Sequence, residues 1–365
     1  MTSLHSPILP IFPERISIGG RCVGVNEPCY IIAEAGSNHD GNLKQALDLV
    51  DAAANAGCNA VKFQTFEGPD IAAGPGTEFT KLPPEYAKWG AELIDFYRAC
   101  ALPTEFHRPI AERASERSIH FFSSPFSEKA VDLLFKLNVP ALKIASFEIV
   151  HLPLIRHAAE TGLPLIVSTG LAGLGDIERA MEAAEKGNCK GLALLHCGSN
   201  YPLTVQGANL AAIGTLRQAF GVPVGYSDHT EGIAVPTAAA ALGASLLEKH
   251  FTTDRTGRGP DHSFALEPAE LAQMVQHMRD AQSAVGSARK RRMPEEEPHA
   301  RRGRRSLIAA RALKAGERLT ADSVKVVRPG VGLEPMLLEV LLGRPLVRDV
   351  LLDHPLSWDD FLLAK

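Results

Sequence analysis

The stretch Tyr30-Ile31-Ile32-Ala33-Glu34-Ala35-Gly36-Ser37-Asn38-His39 decides the fold. An almost wholly apolar run is followed at once by a carboxylate, two small residues and three polar ones. A run that is apolar at consecutive positions fits a strand covered on both faces, as in a parallel sheet. The polar tail marks where that strand ends. The pattern recurs as AVKF (60–63), HFFS (120–123), ALKI (141–144), PLIV (164–167), LALL (192–195), VPVG (222–225) and SLLE (245–248). Amphipathic stretches lie between the runs. Residues 42–56 (NLKQALDLVDAAANA) have helical spacing and stop at Gly57, and 268–284 (PAELAQMVQHMRDAQSA) stop before Gly286. Eight such units predict an α/β fold, a closed (β/α)8 TIM barrel rather than an open doubly wound sheet. No GxGxxG follows the first run to favour the open sheet.

The chain has 365 residues, more than the roughly 250 that a barrel needs. Its composition changes after Ala288. Residues 289–305 (RKRRMPEEEPHARRGRR) are charged, lack an apolar period and read as a linker. Residues 306–365 are turn-rich and too short for a second barrel, so a small β-rich domain is expected there. The predicted organisation is a barrel over 1–287, a linker over 288–305 and a small domain over 306–365. A net charge of −4 gives no global attraction for nucleic acid or anionic membrane, and neither is expected as a partner. An anionic substrate would need a local cluster of positive charge. Cysteines 22, 29, 58, 100, 189 and 197 form no CxxC pair and read as free, mostly buried thiols of a reducing compartment. Residues 1–13 lack a signal-peptide pattern, and no apolar run reaches membrane-spanning length. A cytoplasmic location is therefore expected.

In such a barrel the active site lies at the carboxyl ends of the strands. The second run carries Lys62 and Gln64, two apart and so on one face. The fourth carries Lys143. A lysine inside a barrel is costly to bury unless it meets an anion, reaches the rim, or pairs with Glu34 or Glu148. Ser124, Ser146, Ser168, Ser199 and Ser227 add hydroxyl donors at equivalent positions, a collar suited to phosphate or carboxylate oxygens. His229 and His250 end neighbouring strands and could share one cation, with open positions left for water or substrate. The alternative is a pair of hydrogen-bonded core histidines. His39, His196 and His262 are further pocket candidates. Glu34 and Glu148 are candidates for acid–base work, and Asp261 for binding sugar hydroxyls.

Nine segments, in order, resemble the sialic acid synthase family of nonulosonate synthases. They are IIAEAGSNHDG, AVKFQTF, FFSSPF, LKIASFE, IVSTG, LLHCGSNYP, VGYSDHT, LEKHF and GPDHS. The tail, RRSLIAARALKAGERLT followed by VVRPGVGLEP, resembles the family's antifreeze-like SAF (β-clip) domain. The resemblance implies that phosphoenolpyruvate sits on Lys62, Lys143 and the five serines, with Gln64 beside it. A metal on His229 and His250, Mn2+ or Mg2+, would polarise a sugar aldehyde for attack by C3 of phosphoenolpyruvate. Water would add to C2, and loss of phosphate would leave a 2-keto acid. Glu34 matches the residue that handles the water or the intermediate's proton. Glu148 matches the one that holds the open-chain sugar, and Tyr201 and Asp261 match sugar-side contacts. Arg328 matches an arginine reaching from the tail into a partner subunit's barrel, which implies a domain-swapped homodimer.

The acceptor implied is N-acetylmannosamine or a 2,4-diacetamido-6-deoxyhexose. Ser146-Phe147-Glu148 is closer to pseudaminic acid synthases, whereas EKHFTTDRTGRGPDHS (248–263) is closer to the sialic and legionaminic branch. A related synthase acting on a sugar phosphate would need extra cations for the distal phosphate. A non-catalytic sugar-binding barrel would have no use for intact Glu34, Lys62, Lys143, His229 and His250. A metal-dependent hydrolase would want a His-x-His at the first strand, which is absent.

Overall fold

The computed structural model describes residues 12–361. Most of the stretch screened for a signal peptide, and both outer domain limits, lie outside the described residues. The chain divides after Gly286 into two compact units.

The first unit opens with an antiparallel hairpin, β1 (Arg15–Ile18) and β2 (Arg21–Gly24). Its turn is Gly19-Gly20, both at positive φ (53° and 85°), as the two-residue turn matching strand twist requires. The hairpin buries Ile16, Ile18 and Val23. Gly19 lies against the His120 ring and Ile16 against Gly191, both at the starts of barrel strands, so the hairpin crosses the amino-terminal mouth. The run-by-run expectation begins at residue 30 and omits this hairpin. The Gly-Gly pair between alternating residues was its signal.

The barrel strands are β3 (Tyr30–Gly36), β4 (Ala60–Thr65), β5 (His120–Pro125), β6 (Leu142–Ile144), β7 (Leu165–Ser168), β8 (Leu192–Cys197), β9 (Val224–Asp228) and β10 (Leu246–His250). They form one parallel sheet in the order β5-β4-β3-β10-β9-β8-β7-β6. β5 and β6 lie side by side without a hydrogen-bonded ladder. β6 has only three residues and follows Pro140, which has no N–H to give. The eight-stranded barrel is thus closed by packing at that seam. β9 starts two residues later than the apolar run, beyond Pro223. Helices cover the outside. Leu43–Asn55 is capped by the Asn42 side chain, which accepts from the Gln45 N–H, and it buries Ala46, Leu49, Val50 and Ala53. Pro268–Val285 buries Leu271, Met274, Val275 and Met278 at the same spacing.

Register brings the polar strand ends into one tier. Lys62 lies opposite Glu34, and Glu34 opposite His250. Gln64 lies opposite Ser124, Cys197 opposite Ser227, and Ser227 opposite Glu248.

The second unit pairs β11 (Ser306–Ala309) with β12 (Val324–Val327), antiparallel. Isolated antiparallel bridges at Ile308–Pro355, Leu313–Val350 and Arg318–Pro345 add to it, giving the small β domain expected. Leu307, Leu313, Leu319, Leu341, Leu346 and Leu356 form its own core. The charged stretch ahead of it is not structureless. It holds a turn at Pro294–Glu296 and a helix, Glu297–Gly303, that buries none of its residues. That is why no apolar period marks it. The helix is instead favoured by Pro298 in its first turn and by Arg301 and Arg302 at its negative end. The Gly330 N–H donates to the Arg301 carbonyl at 2.9 Å.

No helix among the described residues is long and apolar enough to cross a membrane. All six cysteines are unpaired; Cys22 is exposed rather than buried.

Candidate active site

The carboxyl end of the barrel holds a small polar cavity of about 50 Å³. Every strand except β8 contributes to its lining, through Glu34, Lys62 and Gln64, Ser124, Lys143, Ser168, Ser227, and Glu248 with His250. Ser146, Tyr201 and His229, from the turns beyond β6, β8 and β9, complete the set.

Both lysines are fully committed. Lys62 Nζ lies 2.7 Å from Glu34 Oε2 and donates to Ser124 Oγ at 3.2 Å. Lys143 Nζ donates to Ser168 Oγ at 2.7 Å. A third carboxylate sits between them: Glu248 Oε1 is 3.7 Å from each ammonium and accepts from Ser227 Oγ at 3.1 Å. Lys143 therefore pairs with Glu248, not with Glu148 as one expectation had it. Burial opposes charge on all three, but the outcomes differ. Lys62 is held above the usual lysine value by Glu248 and Glu34 together. Lys143, with Glu248 alone close by, is pulled below it. For Glu248, burial is outweighed by Lys143 and Lys62, which hold the carboxyl low, at about 2. Glu248 was missed from sequence, although it lies two residues before His250 and so shares its face of β10.

A cradle opens beside the lysines. The Gly170 N–H donates to Ser146 Oγ at 3.1 Å, and Ser146 Oγ lies 3.0 Å from Cys197 Sγ. The Ser199 hydroxyl is buried without a partner. A Cβ on residue 170 would lie 2.2 Å from Ser199 Oγ and 2.8 Å from Ser146 Oγ, so only glycine keeps this corner open. Ser146 lines the cavity of the lysines and Ser199 does not, but a buried unpartnered hydroxyl is what an anion's oxygens can use.

The two histidines meet above this floor, with ring centroids 5.5 Å apart. His229 Nδ1 is 2.6 Å from the Gly198 carbonyl, which can only accept. Nδ1 therefore carries the proton, and Nε2 keeps its lone pair. Burial and the neighbouring His250 push the His229 pKa down to about 3, so the ring stays neutral. His250 Nδ1 is buried with no hydrogen-bond partner and lies 3.7 Å from Asp261 Oδ2. Tyr201 packs against His229 with centroids 4.1 Å apart and ring planes tilted by 35°. Two adjacent imidazoles, His229 with its Nε2 lone pair free and His250 with Nδ1 unpartnered, suit a divalent cation. Among the described residues no group of three or more His, Cys, Asp or Glu could hold one, so the protein would supply two ligands and leave the rest open.

A second cavity adjoins the first and shares Gln64, Phe126, Ala145, Phe147, Tyr201 and His250 with it. Here lie Glu148 and Asp261. Burial raises the Glu148 carboxyl to about 7, partly offset by its backbone and Lys143. Asp261 Oδ2 accepts from Ser37 Oγ at 3.3 Å.

The remaining candidates stand elsewhere. His39 accepts the Gly41 N–H on Nδ1 at 3.0 Å, and His196 Nε2 lies 3.0 Å from the Ala208 carbonyl. His262 bridges Thr252 and Asp40, and Asp40 also accepts the Gly259 N–H at 2.8 Å. That clasp ties the loop carrying Asp261 to the end of β3. None of these three histidines lines either cavity. Arg328 belongs to the second unit, where it is exposed and precedes a cis peptide bond to Pro329. A larger cleft lies at the amino-terminal end of the barrel, but its Arg217 and Arg279 are committed to the Gly243 and Cys29 carbonyls.

A parallel barrel with this cluster of buried charge at its carboxyl rim is an enzyme scaffold. The NeuB family pattern matches residues 49–290 and the SAF domain pattern residues 304–362. The chain therefore belongs to the NeuB family, that of the sialic, legionaminic and pseudaminic acid synthases, and is an enzyme of that acid synthase type. It is 40% identical to an uncharacterised protein of Methanocaldococcus jannaschii, over 96% of this chain and 99% of that one. It is 39% identical to the N,N'-diacetyllegionaminic acid synthase of Legionella pneumophila, over 92% and 95%. The crystal structure of the N-acetylneuraminic acid synthetase from Leptospira borgpetersenii, solved with citrate, superposes with a TM-score of 0.70 at 34% identity, covering 79% of this chain and 95% of that one.

Proposed function

We propose that this enzyme condenses phosphoenolpyruvate with an open-chain N-acetylated amino sugar and water, yielding a nonulosonic 2-keto acid and phosphate. The observation that carries this reading is the pair of buried ammoniums, each on a serine hydroxyl, set below two adjacent imidazoles and opening into a second cavity. The floor suits a small polyanion, and the upper cavity suits a second substrate whose reactive carbon meets the first at the histidines.

In this reading Lys62, Lys143 and the serines at 124, 146, 168, 199 and 227 hold the carboxylate and phosphate of phosphoenolpyruvate, with Gln64 beside them. C3 attacks the aldehyde carbon, and the aldehyde oxygen takes up a proton. Water adds to C2, losing its proton towards Glu34. The C2–O bond to phosphate then breaks, and the hydroxyl on C2 gives up its proton to leave the ketone. Glu148, Asp261 and Tyr201 hold the acceptor chain. His229 and His250 would hold Mn2+ or Mg2+, which when bound would polarise the aldehyde oxygen. We assign the working form to a domain-swapped homodimer in which Arg328 of one subunit completes the other's site. We place it in the cytoplasm, where phosphoenolpyruvate is made and six unpaired thiols stay reduced.

The test is to supply phosphoenolpyruvate, Mn2+ and, in turn, N-acetylmannosamine or a 2,4-diacetamido-2,4,6-trideoxyhexose, and to assay both products. Phosphate and 2-keto acid should appear in equal amounts. No release with any acceptor sinks the reading.

A further inference from the structure

Residues 251–267 link β10 to the helix Pro268–Val285 and carry Pro260 and Asp261 into the upper cavity. A loop this long holds one conformation only where its surroundings fix it. Asp40 supplies that hold. It sits in the turn beyond β3 at positive φ (49°), which Asp tolerates. Its Oδ1 accepts the Gly259 N–H at 2.8 Å and faces His262 Nε2 at 3.2 Å. Its Oδ2 accepts the Arg258 N–H at 3.2 Å and the Gln45 side-chain N–H at 3.3 Å. Burial works against the charge of Asp40, but the Arg258 N–H, His262 and Gln45 outweigh it and hold the carboxyl below its usual value. A carboxylate can only accept, so His262 Nε2 carries the proton between the two. The other ring nitrogen of His262 lies 2.7 Å from Thr252 Oγ1, just beyond β10. The loop wraps closely around this ring. A Cβ on residue 257 would lie 2.3 Å from His262 Cε1, and one on residue 259 would lie 3.1 Å from Asp40 Oδ1.

Asp261 stands between the two anchored points, residues 259 and 262, so the clasp fixes its backbone from both sides. Its Oδ2 is thereby held 3.3 Å from Ser37 Oγ and 3.7 Å from His250 Nδ1. Asp40 itself lines neither cavity. We infer that Asp40 is a positioning residue for the acceptor sugar: with His262 it preforms the loop, so that Asp261 meets the sugar without first having to be ordered. This rests on the condensation proposed above, and on Asp261 as one of its acceptor contacts. Four donors shared between two oxygens require a carboxylate. Asp40→Asn keeps the shape but leaves one accepting oxygen, and it turns an NH2 group towards the donors of the other. Half the clasp is then lost. The loop becomes ordered only when the acceptor arrives, and that cost appears in acceptor affinity.

Two measurements on Asp40→Asn test this. The first is the condensation assay with Mn2+ and whichever of the two acceptors named above the wild type turns over faster. The acceptor KM should rise about tenfold, the cost of ordering a few loop groups on binding. The KM for phosphoenolpyruvate and kcat should stay within about twofold, because only binding in the upper cavity is touched. An unchanged acceptor KM, or an equal rise in both KM values, overturns the inference and leaves the condensation standing. Silence of the wild type with either acceptor overturns the condensation, and the inference with it. The second measurement is hydrogen exchange over residues 252–262 in the acceptor-free proteins. The wild type should be protected there, and Asp40→Asn should exchange about tenfold faster until the same acceptor is added. Exchange in the barrel strands should match the wild type, which separates a loosened loop from a damaged fold. Equal protection of the loop in both proteins would show that it keeps its shape without the clasp, and overturns the inference.

Discussion

At the scale of single residues, the site is governed by who stands next to whom rather than by residue type. Lys62 and Lys143 are equally buried, yet their proton affinities move in opposite directions because one has two close carboxylates and the other has one. At Glu148 burial outweighs the pull of Lys143. Its carboxyl titrates near 4.5 as a free group and at about 7 in the fold, where burial disfavours the charge. Between those values the folded chain holds a proton that the unfolded chain has released. Stability from this group is therefore full below pH 4.5 and is lost as the pH rises towards 7. Glu148→Gln should flatten that decline. Melting curves of both proteins across this window check it, and parallel slopes would show that Glu148 is hydrated in the folded state. The histidines and lysines were legible from the sequence because strand-end position in a barrel predicts a shared rim. Glu248 was equally legible by its two-residue spacing from His250. Its position between both ammoniums was not, because that depends on how three strands curl together.

At the scale of one element, β10 shows how alternation divides labour. Glu248 and His250 face the site, while Lys249 points to the opposite face. There Lys249 Nζ pairs with Asp228 Oδ2 at 2.6 Å, both essentially without solvent, and also donates to the Thr230 carbonyl. Asp228 also accepts from the Thr230 hydroxyl and N–H. Lys249→Ala would leave a buried carboxylate without its cation, at a cost of about 3–5 kcal/mol. Chemical denaturation should show that loss, and the KM for phosphoenolpyruvate should stay nearly unchanged because Lys249 does not touch the cavity. A variant of wild-type stability would mean that water reaches Asp228. The sequence shows Lys249 beside two site residues, and only strand direction tells that it serves the scaffold.

At the scale of the whole molecule, each unit carries its own hydrophobic core, so the barrel and the small domain are each held together internally. The proposed sharing of sites between subunits can then be tested by complementation. Arg328→Ala and His229→Ala should each be inactive alone. Mixed in equal amounts under conditions that exchange subunits, they should recover roughly a quarter of wild-type activity, since half the dimers are mixed and each has one intact site. No recovery despite exchange would confine each site to one chain. The amino-acid sequence by itself determined the eight barrel strands and their order along the chain, the rim position of the chemical residues and the presence of a second domain. These follow from local periodicity, which each segment carries within its own few residues. Only the tertiary structure decided that Lys143 answers to Glu248, that the barrel is closed by packing between β5 and β6, and that Asp40 clasps the loop carrying Asp261. Those features depend on distances across a closed sheet and between distant loops, which no local pattern encodes.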